Sequence, residues 1–177
     1  MYPREYIHYL VHFHCDRDYF ECHEILEEYW KRVDKGNKFS IFIAFIQLAV
    51  SNYHHRRDNF EGAKKTLKKA IYLFQLNKSK ISELGLDSTS LFQIITSQLI
   101  RIEKRLPYES YEFPFADPSL LNDCINICKQ HGLTWGMPSN LSNLQLVHRH
   151  LLRDRSNVIQ ERENAKIIRK TWRSPSP

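Results

Sequence analysis

Residues 39–54 read Phe39-Ser40-Ile41-Phe42-Ile43-Ala44-Phe45-Ile46-Gln47-Leu48-Ala49-Val50-Ser51-Asn52-Tyr53-His54. At about 100° per residue, Phe39, Ile41, Phe42, Ile43, Phe45, Ile46, Leu48, Ala49, Val50 and Tyr53 cover most of a helix circumference. A helix that is apolar nearly all round belongs in the middle of a bundle, so this stretch sets the architecture. Gln47 and His54 fall together at the edge of the apolar arc. Ala44 and Ser51 lie beside them, small enough to let a second helix come close. Arg57 projects toward the middle of the arc, near the helix end.

The surrounding sequence predicts more helices. One is expected over about 4–14 and a second over about 18–34, closed by Gly36. The central helix runs to about 57. Asn59 is a good cap for a fourth helix reaching about 77. This pair echoes the tetratricopeptide unit, but only one copy is present, so an ordinary antiparallel helical hairpin is expected. Lys78 to Asp87 reads as a polar connection, and a fifth helix over about 89–106 stops before Pro107. Tyr108 to Ala116 reads as extended. Asp117-Pro118 opens a sixth helix that ends at Gly132. Gly136 to Asn143 reads as a loop, and a long basic helix is expected over about 144–171. The fold class is therefore all-α, a multi-helix bundle around a buried central helix. The expected division is a core of residues 1–107 and a C-terminal helical extension, 108–177, packed on it.

The second helix carries the candidate site. Tyr19, Cys22, Leu26, Tyr29, Trp30 and Val33 form its apolar stripe. His23 lies in the flank of the stripe and Glu27, four residues on, at its border, so the two are neighbours and are expected as a buried polar pair. Glu24 sits at the rim, and Glu28 points to solvent. Imidazole and carboxylate projecting into a bundle are the materials of a divalent-metal site, and His23, Glu27 and His54 are the candidate ligands. The same side chains also suit a satisfied polar network, with Glu27 paired to Arg57 and Gln47 bonded to backbone or tyrosine. That reading is preferred to metal, and a small-ligand pocket stands between them.

Composition narrows the function classes. Apolar residues make up 42% of the 177 and aromatics 12%, enough for a real core. The most apolar run is about half the length of a membrane span. Arg4, Glu5 and His8 interrupt any signal-peptide core, which makes the cytoplasm the default location. In that compartment disulfides are not expected among the four cysteines. Cys22 reads as a small hydrophobe. Cys124, Cys128 and His131 share one helix but match no standard zinc spacing, so buried thiols are the preferred reading. No Gly-rich phosphate loop and no base-and-orienter set beside Cys15 or Cys22 can be found.

Charge is polarised. Residues 1–35 carry five Lys/Arg against eight Asp/Glu, whereas residues 141–177 carry eight against three. His148, Arg149, His150, Arg153, Arg155, Arg162, Lys166, Arg169 and Lys170 line the expected last helix, opposite the apolar Leu144, Val147, Leu151, Val158, Ile168 and Trp172. A basic face of this kind suits nucleic acid, an acidic protein or plain solvent. Docking on the acidic N-terminal region, within one chain or between two, is preferred over nucleic acid. Trp135 and Trp172 read as packing anchors.

Three pieces occur in order: His23-Glu24-x-Leu26-Glu27-x-x-Trp30, Gln47-x-Ala49-Val50-x-x-Tyr53-His54 and Arg57-x-Asn59-x-x-Gly62-Ala63. In this combination residues 18–74 resemble the domain-of-unknown-function family 309, small helical proteins. The resemblance implies an all-helical fold and no particular activity. Where Gly-Asn is expected between the helices, this chain has Asp58-Asn59, which still reaches a left-handed turn at some cost. Residues 108–177 lie outside the motif and read as a lineage-specific extension. The candidate ligand-binding or structural cluster is thus His23, Glu24, Glu27, Gln47, Tyr53, His54, Arg57 and Asn59. The leading functional expectation is a non-enzymatic protein binding a small ligand or divalent metal there. The alternative is an interaction module acting through its basic end, and a metal-dependent hydrolase ranks third.

Overall fold

The computed structural model describes residues 1–149. Among them eight helices form: α1 (Arg4–His14), α2 (Tyr19–Val33), α3 (Ile41–His55), α4 (Phe60–Leu76), α5 (Lys78–Glu83), α6 (Ser88–Glu103), α7 (Pro118–Gln130) and α8 (Leu144–Val147). They form an all-α bundle, and the described residues contain no strand, only one antiparallel bridge between Leu86 and Phe115. One expected connection changes. The polar connection after Asn77 holds the short helix α5. Of the long basic helix only α8 is seen, and the rest of that expectation, with Trp172 and the basic residues from His150 onward, lies outside the described residues.

The helix starts follow from local chemistry. Asp18, Ser40, Asn59, Asp87, Asp117 and Asn143 each accept a backbone N–H of the following turn, satisfying donors that have no partner within the helix. Between α3 and α4 the chain turns at Asp58, whose φ of 56° is the left-handed conformation. Gly62 matters just beyond it. A Cβ there would lie 2.7 Å from the Asn59 side chain, so glycine keeps room for the cap.

Helix α3 is the axis of the bundle. No residue from Ser40 to Arg56 is exposed. It packs against α2 on one side and α4 on another. The small residues act as expected: Ser51 Oγ donates to the carbonyl of Ala63 at 2.9 Å, holding α3 and α4 at close range. Phe39 departs from expectation, since it precedes the helix and stands 58% exposed. The α1 aromatics fill the other side. Tyr6 and Tyr9 pack edgewise or tilted on Phe45, and Tyr9 donates its hydroxyl to the Phe45 carbonyl at 3.0 Å. Each fully buried ring of this kind stabilises the fold by about 2–3 kcal/mol.

Residues 108–149 pack on this bundle through the turn between α1 and α2. His14 Nδ1 donates to the Leu10 carbonyl at 2.7 Å, and its Nε2 accepts from Phe113 N–H at 2.9 Å. The ring stacks on Trp135, with centroids 4.6 Å apart, so this tryptophan anchors packing as expected. The His14 carbonyl accepts from Gly136 N–H. Arg17, itself at φ 56° and 1% exposed, donates to the carbonyls of Phe13, Tyr111 and Met137. Cys15, the cap of α1, is joined to Cys128 of α7 in a disulfide, with Cα atoms 6.6 Å apart. This corrects the expectation that the cysteines stay unpaired. The partners are 113 residues apart and only the packing of α7 on α1 brings them together. Cys22 and Cys124 are the buried free thiols that the sequence suggested.

Candidate functional site

The second turn of α2 places His23 between two carboxylates. Its Nδ1 lies 3.1 Å from Glu24 Oε1, and its Nε2 lies 3.5 Å from Glu27 Oε2. One donor atom from each of the three residues falls within 4.8 Å of the others. The spacing of one and four residues puts all three on one side of a rigid helix. Their side chains are 28%, 33% and 34% exposed. The expected buried pair is therefore half-open to solvent. The reason is the stripe itself: Tyr19, Cys22 and Leu26 face the core, and the His23–Glu27 row runs along its border. Glu28, read as solvent-facing, is exposed.

The expected partners differ. Glu27 pairs with Lys31 at 3.0 Å instead of Arg57. Arg57 turns to the other end of the bundle, donating to Tyr53 Oη at 3.2 Å and to His148 Nδ1 at 3.1 Å, with its guanidinium over the Tyr53 ring. His54 Nδ1 lies 3.1 Å from Asn59 Nδ2, and Asn59 Oδ1 caps α4. Gln47 is half-buried on α3. Hydrogen bonds and ion pairs thus gather His23, Glu24 and Glu27 on α2, and Tyr53, His54, Arg57 and Asn59 at the α3–α4 turn. Glu24, rather than His54, is the third member of the group around His23 and Glu27. Cys124, Cys128 and His131 form no such group, because Cys128 is in the disulfide and His131 faces His8 across 6.1 Å between rings.

Beside the buried Arg17 lies a second buried cation, Arg56, one residue before the one the sequence singled out. Its side chain stacks on the Tyr19 ring at 4.9 Å and donates to the Arg17 carbonyl, Ser139 Oγ and the Leu146 carbonyl. Burial holds its pKa below the usual range. Beside it, Asp18 caps α2 with one oxygen and pairs with Arg149 through the other, while Arg149 also reaches Glu21 at 3.4 Å. Burial pushes His14 down to about 3, so the ring is neutral and its two hydrogen bonds fix the tautomer. These residues gave little sequence signal. Arg17 and His14 sit in a short turn, and Arg56 is polar at the end of an apolar helix.

An open cleft of about 760 Å³ adjoins the His23 group, lined by Phe20, Glu21, Glu24, Asn143, Gln145, Leu146 and Arg149. Glu24 belongs to both the cleft wall and the donor group.

The comparisons fit this picture. The family model for the domain of unknown function DUF309 matches residues 6–66, which span α1 to the first turns of α4. The uncharacterized protein YpuF of Bacillus subtilis is 47% identical over 163 residues, covering 92% of this chain and 94% of that protein. The chain belongs to the DUF309 family. The alignment with this relative runs well past residue 107, so the C-terminal third is not peculiar to this chain. No solved structure matches it. Among the described residues no helix is long and apolar enough to cross a membrane.

Proposed function

We propose that this protein binds a divalent transition-metal ion at His23, Glu24 and Glu27. The observation that carries the reading is the convergence of one imidazole nitrogen and two carboxylate oxygens within 4.8 Å on one helix face. Imidazole with carboxylates suits zinc, manganese and iron better than the all-oxygen shells preferred by calcium and magnesium. Three protein ligands leave coordination positions for water or for a small ligand held in the adjoining cleft. Lys31 has to release Glu27, which its exposed side chain does at small cost.

Calorimetric titration of the full chain with zinc and with manganese tests this. One ion per chain is expected, lost in His23→Ala and weakened in Glu27→Gln, with His12→Ala unaffected. Equal binding by wild type and His23→Ala overturns the proposal.

A further inference from the structure

Helix α6 carries a second feature, unrelated to the His23 group. From Ser88 to Ile100 it has no charged residue, although Thr89, Gln93, Thr96, Ser97 and Ile100 are all exposed. An exposed helix face ordinarily carries charge. Between this face and α4 runs an open groove of about 720 Å³, floored by Phe92 and Ile100 and walled by Gln75, Thr96 and Ser97. Ile100 is 49% exposed, and Tyr72, one turn before the groove-lining Gln75 on α4, is 52% exposed. An apolar floor with charge removed from its surroundings is the composition of an interface centre.

The rim identifies the occupant. Lys78 lines one end of the groove. Lys65 is exposed in the same α4 row as Tyr72, two turns toward the start of the helix. Lys64 and Lys68 stand at the far end and share Glu103, and Lys104 follows. Lys64, Lys65, Lys68, Lys78 and Lys104 thus outnumber Glu61, Glu103 and the α6 cap Asp87 around the groove. A second copy placed face to face would set lysine against lysine, which opposes a symmetric dimer here. We propose that the α4–α6 groove receives an amphipathic helix of a partner protein whose apolar stripe is flanked by Asp and Glu. Phe92 and Ile100, with Tyr72 at the edge, would bury that stripe, and the lysines would set its orientation and speed its arrival.

The test uses two labelled synthetic helical peptides of about five turns. They share one leucine stripe, and one carries glutamate and the other lysine on its flanks. Fluorescence anisotropy with the full chain is expected to show the glutamate peptide binding at least about tenfold tighter, with affinity falling as salt is added. Thr96→Glu and Ile100→Glu, both on the surface, should each abolish this binding while helical content by circular dichroism is unchanged. Binding of neither peptide, equal binding of both, or binding that survives Ile100→Glu overturns the proposal. So does a dimer, seen by light scattering, that Ile100→Glu dissolves, because the face then belongs to a second copy.

Discussion

At the scale of single residues, adjacent arginines differ sharply. Arg56 is buried and its donors satisfy three acceptors, whereas Arg57 is half-buried with a tyrosine and a histidine as partners. Arg56→Met should lower the unfolding free energy by about 2–4 kcal/mol in urea titrations, because it strands buried acceptors. Arg57→Met should cost less than about 1 kcal/mol. Glu27→Ala falls in the smaller class too, since its partner Lys31 is exposed. His14 introduces a pH dependence. Burial holds it near 3, well below the ordinary 6.5, so the unfolded chain takes up the proton first as pH falls. Its contribution is full above about pH 6.5 and is lost as the pH drops toward 3. Between pH 7 and pH 5 it removes about 2 kcal/mol. Denaturation of wild type and His14→Gln at both values should show the variant less stable at pH 7 and less sensitive to acid.

At the scale of elements, the α3–α4 turn can be tested directly. Asp58 holds a left-handed backbone that costs a branched side chain roughly 1–2 kcal/mol. Asp58→Gly should leave the melting temperature unchanged or raised, and Asp58→Val should lower it. The same hairpin shows what the sequence made legible. Apolar coverage of Ile41–Tyr53, the Asn59 cap and the small Ser51 are local signals, and they located α3, α4 and their close contact. Face assignment on α2 was partly legible: the core row Tyr19, Cys22, Leu26 is fixed by periodicity. How far the neighbouring row sinks depends on what packs beside it, and periodicity carries no such information. Periodicity therefore makes His23 and Glu27 neighbours but sets them deeper than the 28% and 34% exposure they have. Pairings such as Arg57 with His148 or Cys15 with Cys128 span most of the chain and leave no periodic trace.

At the scale of the molecule, the tie between Cys15 and Cys128 closes a loop of 113 residues. Alkylation of the unfolded, unreduced chain should modify two cysteines, Cys22 and Cys124, and all four after reduction, as read by mass spectrometry. Breaking the tie with Cys15→Ser should lower the unfolding free energy by about 2–4 kcal/mol, as for a long closed loop. The stretch from His14 to Asp18 has a further consequence, for biosynthesis. Arg17 is made early, but the Met137 carbonyl it needs follows 120 residues later. At about 5–20 residues per second that gap is roughly 6–24 s. Through most of it the nascent chain holds a cationic turn whose Tyr111 and Met137 acceptors do not yet exist. Final locking of the N-terminal helices is thereby scheduled by the arrival of Met137, and a ribosome stalled near Pro107 would present a chain still open at that turn.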